Sequence, residues 1–226
     1  MSKNKKAYYY KMNLVPANIL AFGILIICFI LTVVIDKNYR FDSNVLVLFI
    51  TMMLYFCLHE FLHGVGYFLG GGHRDKIKYG ICLEKGLLYC MDCEEISKKN
   101  ILISLQMPFM VIGVITYIIG VVFNLNLLIT LSIVNLTGAA MDLVMFFYIL
   151  KLKDVIYSES GNNDEFVLIS SENLEKKKSI FFKIIKVKDY KSEDFIFENI
   201  EKFTITKKSI IIFIIFLIIF ALESLL

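Results

Sequence analysis

Apolar residues run for about twenty positions at a time in five places, at about 14–35, 44–70, 101–123, 125–150 and 210–226, with polar residues gathered between them. A helix needs about 20 mostly apolar residues to cross about 30 Å of hydrocarbon, so each run predicts a membrane span. Only a few residues around Asn124 and Asn126 join the third and fourth runs, which predicts a tight antiparallel pair. The first run follows Lys3, Lys5, Lys6 and Lys11 as a secretory signal would. It exceeds the apolar core of about 7–15 residues in such signals and has no small-residue cleavage site before Asp36, so it reads as a retained anchor.

The polar connections differ in pattern. Residues 76–82 and 87–93 read as two short strands around Leu83-Glu84-Lys85-Gly86, starting just after Gly70-Gly71-Gly72 ends the second span. The connection at 154–207 carries short apolar patches at 155–158, 165–169, 180–187 and 195–205, with Gly161-Asn162-Asn163-Asp164 as a turn. The expected architecture is an all-α polytopic membrane protein of about five transmembrane helices, with a short β-hairpin between the second and third. A small β-rich cytoplasmic segment precedes the last helix. The division is a membrane core at 1–152, the β-rich segment at 153–207 and a terminal helix at 208–226.

Composition agrees with a bilayer as solvent. Hydrophobic residues make up 58% of the chain, above the roughly 45–50% of soluble domains, and the mean hydropathy is +0.69. Net charge is only +3, and nothing in it predicts a nucleic-acid partner. Lysine and arginine number four before the first span, two in 36–43, six in 71–100, none in the short third turn and twelve in 151–208. Basic loops collect in the cytoplasm, so the amino terminus, the hairpin and the long connection are expected inside and the carboxyl terminus outside. Five cysteines, Cys28, Cys57, Cys82, Cys90 and Cys93, fall in spans or on that reducing side. Cys90-Met91-Asp92-Cys93 has zinc-ligand spacing but lacks a second pair, so ordinary hairpin cysteines are favoured.

Ionisable groups inside the apolar runs change the picture. His59-Glu60-Phe61-Leu62-His63 lies within the second span. Histidines four apart project from one helix face and can reach one metal ion, and a glutamate beside the first can serve as a general base. A zinc ion (Zn2+) is the expected cofactor, since a carboxylate buried between two imidazoles needs a cation nearby. A catalytic zinc takes a third protein ligand. His73 qualifies by type but follows three glycines at the membrane edge. Asp142 is, apart from Glu60, the only acid within the body of a span, and it lies at about the depth of His63 when both are counted from the cytoplasmic helix ends. Asp142 is therefore the favoured ligand. Asn135 shares its helix face and is expected to bond a substrate backbone, stabilise an oxyanion or orient a ligand, or else to tie helices together.

These residues resemble the site-2-protease class of intramembrane zinc metalloproteases. HExxH, a short hairpin, Pro108-Phe109 early in the next span and Asn135-Leu136-Thr137-Gly138-Ala139-Ala140-Met141-Asp142 over about 51–158 are more closely similar to the family called putative zincin peptidases, small bacterial membrane proteins. In site-2 proteases an Asp-Gly pair preceded by prolines is usual, whereas Leu143 follows Asp142 here. The resemblance implies zinc on His59, His63 and Asp142, Glu60 as catalytic base, a bacterial cell membrane and membrane-anchored protein or peptide substrates. Pro108 would loosen the third span to make room for substrate, and the 76–93 hairpin would pair with it as an added strand. The rival classes are a metal or proton transporter and a scaffold that keeps the site to hold its helices together; Glu60 beside the first ligand favours the hydrolase.

Overall fold

A computed structural model describes residues 5–37, 39–40, 45–82, 87–159, 165–177 and 179–187. The expected span at 210–226, the turns at 83–86 and 161–164 and the patch at 195–205 lie outside the described residues. The long helices form where the sequence is apolar. Helix α1 (Leu14–Ile35) starts where the Asn13 side chain caps the Val15 N–H, contains no charged residue and buries only Ala17 and Thr32. Helix α2 (Val45–Leu69) stops at Gly70, with Gly71 in the left-handed region at φ +107°, where a side chain would be strained.

The next apolar run is one continuous helical rod from Lys98 to Val122 whose middle is wound more loosely. Helix α3 (Lys98–Pro108) passes into a π-helical stretch at Phe109–Ile115 and then into α4 (Thr116–Val122). The stretch begins at Pro108, which cannot donate a backbone hydrogen bond, the usual local cause of such a departure. The run at 125–150 is not one helix. It divides into α5 (Asn126–Gly138) and α6 (Ala140–Leu150), bent by 48° at Ala139. Among the described residues three helices, α1, α2 and the rod at 98–122, are long and apolar enough to cross a membrane, and the bent pair makes a fourth if taken as one span.

The all-α expectation is overturned: the fold is mixed α/β, with seven strands in two antiparallel sheets among the described residues. β2 (Ile77–Cys82) and β3 (Leu87–Asp92) make the expected hairpin, in register from Ile77↔Asp92 to Cys82↔Leu87. The larger sheet joins β1 (Lys6–Met12), β4 (Ile96–Ser97), β5 (Val155–Glu159), β6 (Glu165–Ser170) and β7 (Phe182–Lys186) in the order β4-β5-β6-β1-β7. Residues 6–12 read in the sequence as the basic flank of an anchor. They form a strand because β6 and β7 supply pairing on both sides, as at Tyr9↔Val167 and Tyr9↔Ile185.

Strand alternation then sends Tyr8 and Tyr10 to one face, where they are almost completely buried. That face, with Phe166, Leu168 and Phe182, packs against Ile101 and Leu105 of α3 and Met145 and Ile149 of α6 in one hydrophobic core. The sheet is thus a second layer under the helix ends, held by the same core. Hydrogen bonds secure the junction, with Asn13 N donating to Phe181 O and Lys98 Nζ bonding the carbonyls of Leu150 and Leu152 at the end of α6.

Candidate metal centre

Four helical residues on α2 carry His63 back over His59, and the Nε2 atoms of the two rings stand 3.1 Å apart. Each ring is held from behind. His63 Nδ1 donates to the Ser104 carbonyl at 3.0 Å, and Ser104 Oγ returns a bond to the His63 carbonyl at 2.9 Å. His59 Nδ1 donates to Asn135 Oδ1 at 2.8 Å, while Asn135 Nδ2 donates to the Pro108 carbonyl at 3.2 Å. The approach of α3 depends on Gly66: a Cβ there would sit 2.4 Å from Ser104 Cα. Glycine lets the two backbones meet closely enough for a carbonyl to reach an imidazole.

With both Nδ1 atoms donating, both Nε2 atoms present lone pairs. They converge with Asp142, in the first turn of α6, whose Oδ2 lies 3.2 Å from His59 Nε2 and 3.5 Å from His63 Nε2. Three electron-pair donors at such spacing repel one another unless a proton or a metal ion lies between them. The spacing also fits the chemistry of zinc, since a tetrahedral site with bonds of about 2.0–2.1 Å has ligand–ligand edges of about 3.3 Å. Glu60 completes the group: among the described residues, His59, Glu60 and His63 offer donor atoms all within 4.8 Å of one another. Its carboxylate is bonded by the backbone N–H of Cys90 on β3.

The structure therefore brings His59, Glu60, His63, Asn135 and Asp142 together, with Pro108 present through its carbonyl. His73 is exposed on the short turn before β2 and is not among the converging groups. Cys90 lines the adjoining cavity, burial pushes its thiol above the ordinary range, and Cys90 and Cys93 join no metal-capable group among the described residues.

Beside the donors is a cavity of about 230 Å³, bordered by α2, α3, α6, β3 and the large sheet and open on one side. Glu60, His63 and Asp142 line one part, and Tyr67, Tyr157 and Glu159 another. Burial raises Glu159 from the ordinary glutamate range to about 7, against the opposing bonds from the Tyr157 and Tyr67 hydroxyls and the nearby His63. Sequence reasoning found neither Ser104 nor Glu159. Ser104 acts through a backbone carbonyl, which any residue has, and Glu159 lies on a strand that only tertiary packing brings under α2.

A family model described as putative zincin peptidase matches residues 52–157, from within α2 through the middle of β5. All the converging residues fall inside that match, which supports a zincin-type family, a metallopeptidase activity and zinc as the metal. No curated protein and no solved structure matches the chain.

Proposed function

We propose that the protein is an intramembrane zinc metallopeptidase of the site-2-protease-like kind, cutting peptide bonds in membrane-anchored proteins or peptides. The observation that carries this reading is the convergence of His59 Nε2, His63 Nε2 and Asp142 Oδ2 within 3.5 Å, beside Glu60, on helices whose sequence belongs in lipid. His59, His63 and Asp142 would hold the ion. Zinc, when bound, polarises a carbonyl and lowers the pKa of water toward about 7.

The chain's own groups do the rest. Glu60 accepts the proton of the attacking water and returns it to the leaving nitrogen. Asn135 and Ser104 fix the two rings so that the lone pairs stay aimed at one point. Both ends of the Asn135 amide are engaged within the protein, so it serves as a positioning residue rather than a substrate contact. At about 230 Å³ the cavity is smaller than the roughly 300–1,000 Å³ of sites for drug-sized ligands, so a substrate enters extended rather than as a helix. Unwinding also frees its carbonyls, which helical hydrogen bonds otherwise occupy.

On this reading the protein is integral to a bacterial cell membrane with the large sheet in the cytoplasm, which its lysine distribution supports. Glu60→Gln tests the reading. The variant should keep its zinc and lose about 10²–10⁴-fold in cleavage of membrane-anchored reporter peptides in liposomes. If wild type and variant instead carry zinc across liposomes equally well and neither cuts any reporter, the protein is a carrier.

A further inference from the structure

The cavity beside the donors is strongly one-sided in charge. Four carboxyl side chains line it, from Glu60, Asp142, Glu159 and Glu165, and among the described residues no lysine or arginine does. Three of the four are accounted for. Asp142 faces the imidazoles, Glu60 stands beside them, and Glu165 is paired with Lys11 at 2.9 Å. Glu159 differs. Its hydrogen-bonded partner is a phenol: Tyr67 Oη donates to its Oε1 at 3.2 Å, and the Tyr157 hydroxyl of its own strand acts on it from nearby. The Tyr67 hydroxyl, from a different element, directs the carboxylate without cancelling its charge. Among the described residues Glu159 makes no ion pair with a lysine or arginine.

A buried carboxylate without a counter-ion is costly, and a site retains one where an incoming cation supplies the missing charge. The position of the cavity suggests where that cation comes from. It lies where the helices meet the sheet, and the cytoplasmic ends of membrane spans are where lysine and arginine collect. We propose that Glu159 is a specificity-determining residue that receives the lysine or arginine side chain of an extended juxtamembrane peptide whose backbone lies at Glu60 and the His59–His63–Asp142 donors. This rests on the peptidase reading and adds its substrate class: membrane-anchored chains with a basic residue next to the bond that is cut. An acidic residue at that point is repelled, and a neutral one leaves the carboxylate unpaired.

The test uses the full-length, zinc-loaded protein in detergent with a membrane-anchored reporter. Lysine, arginine, norleucine or glutamate is placed at each position of the juxtamembrane segment in turn. One position should show a lysine-to-norleucine ratio in kcat/KM of about 10- to 100-fold, the range for a hydrogen bond to a charged group. Glu159→Gln should bring that ratio near one, and Glu159→Lys should turn the preference toward glutamate. A ratio unchanged in Glu159→Gln, or no preference at any position, overturns the inference. Anisotropy of labelled lysine and norleucine peptides on Glu60→Gln reads binding apart from cleavage. A lysine preference in binding with no cleavage by wild type would leave the cation site standing and sink the peptidase reading; cleavage indifferent to the basic residue would do the reverse.

Discussion

Helices α1 and α2 are both long and apolar enough to cross a bilayer, yet they are built for opposite surroundings. α1 carries no charged residue, shows large side chains such as Phe22, Ile27 and Val34 outward, and has a glycine, Gly23, with open space where a Cβ would be. Its polar tie to a neighbouring helix is a hydroxyl pair, Thr32 Oγ1 with Tyr117 Oη at 2.9 Å. α2 carries two histidines and a glutamate, and the missing Cβ of Gly66 is the space that Ser104 fills. Hydropathy says that a helix suits lipid. Which helix must hold another is told by its small residues and its polar insertions.

The comparison is broken most severely at the donors. Asp142→Ala and His63→Ala should each lower zinc affinity by more than the roughly 10–100-fold typical of losing a supporting group, read as metal content after dialysis. An Asp142→Ala protein with full zinc would mean that α2 finds its third donor elsewhere. Next comes the glycine pair. Gly66→Ala drives a methyl into the Ser104 backbone, which cannot rotate away, and should destabilise by about 3 kcal/mol or more while pulling the Ser104 carbonyl off His63. The same change at Gly23 should be neutral or stabilising by up to about 1 kcal/mol, since alanine is the better helix former and meets nothing. Equal thermal shifts from the two would give α1 a close neighbour and erase the contrast.

The smallest effect concerns the link between α2 and the sheet, the Tyr67–Glu159 bond. Glu159 titrates at about 7 in the fold, above the ordinary glutamate value of 4.5, so the native state holds this proton more tightly than the unfolded chain. Stability from this group is complete below pH 4.5 and falls as pH rises through 7. The full difference converts to about 3 kcal/mol at about 1.36 kcal/mol per unit. Melting of the metal-free protein should therefore fall between pH 5 and 8, and Glu159→Gln should flatten that slope. A slope that survives the substitution assigns the titration to another group.

Much of the site was legible because it follows helix periodicity and depth: His59 and His63 by their four-residue spacing, Asp142 by lying at about the depth of His63, and Asn135 by standing seven residues before Asp142 on the same face. The structure places the residues that this arithmetic picked beside one another even though a bend at Ala139 separates Asn135 from Asp142. The bend was hidden because two short helices and one long one can share the same apolar run. β1 was hidden for another reason: its partners begin at Glu165, about 150 positions along the chain, and Lys6 and Lys11 around its tyrosines look like the flank of an anchor. Strand identity that comes from distant pairing leaves little local trace.

The place of β1 in the large sheet sets a rule of parity. A hydrogen-bonded sheet occupies one side of a bilayer, so a chain that leaves it and returns has crossed an even number of times. Between β1 and β4 lie α1 and α2, which make two crossings if each spans the bilayer. Between β4 and β5 lie the rod at 98–122 and the bent pair α5–α6. If the rod crosses, the bent pair must cross as well, despite its 48° angle, or β5 would be stranded across the membrane from β4. On the membrane-spanning reading the described chain therefore traverses the bilayer four times, whichever way it faces. Lys5 and Lys153 accordingly lie on one side, and cysteines placed at those two positions should react with an impermeant reagent together or not at all.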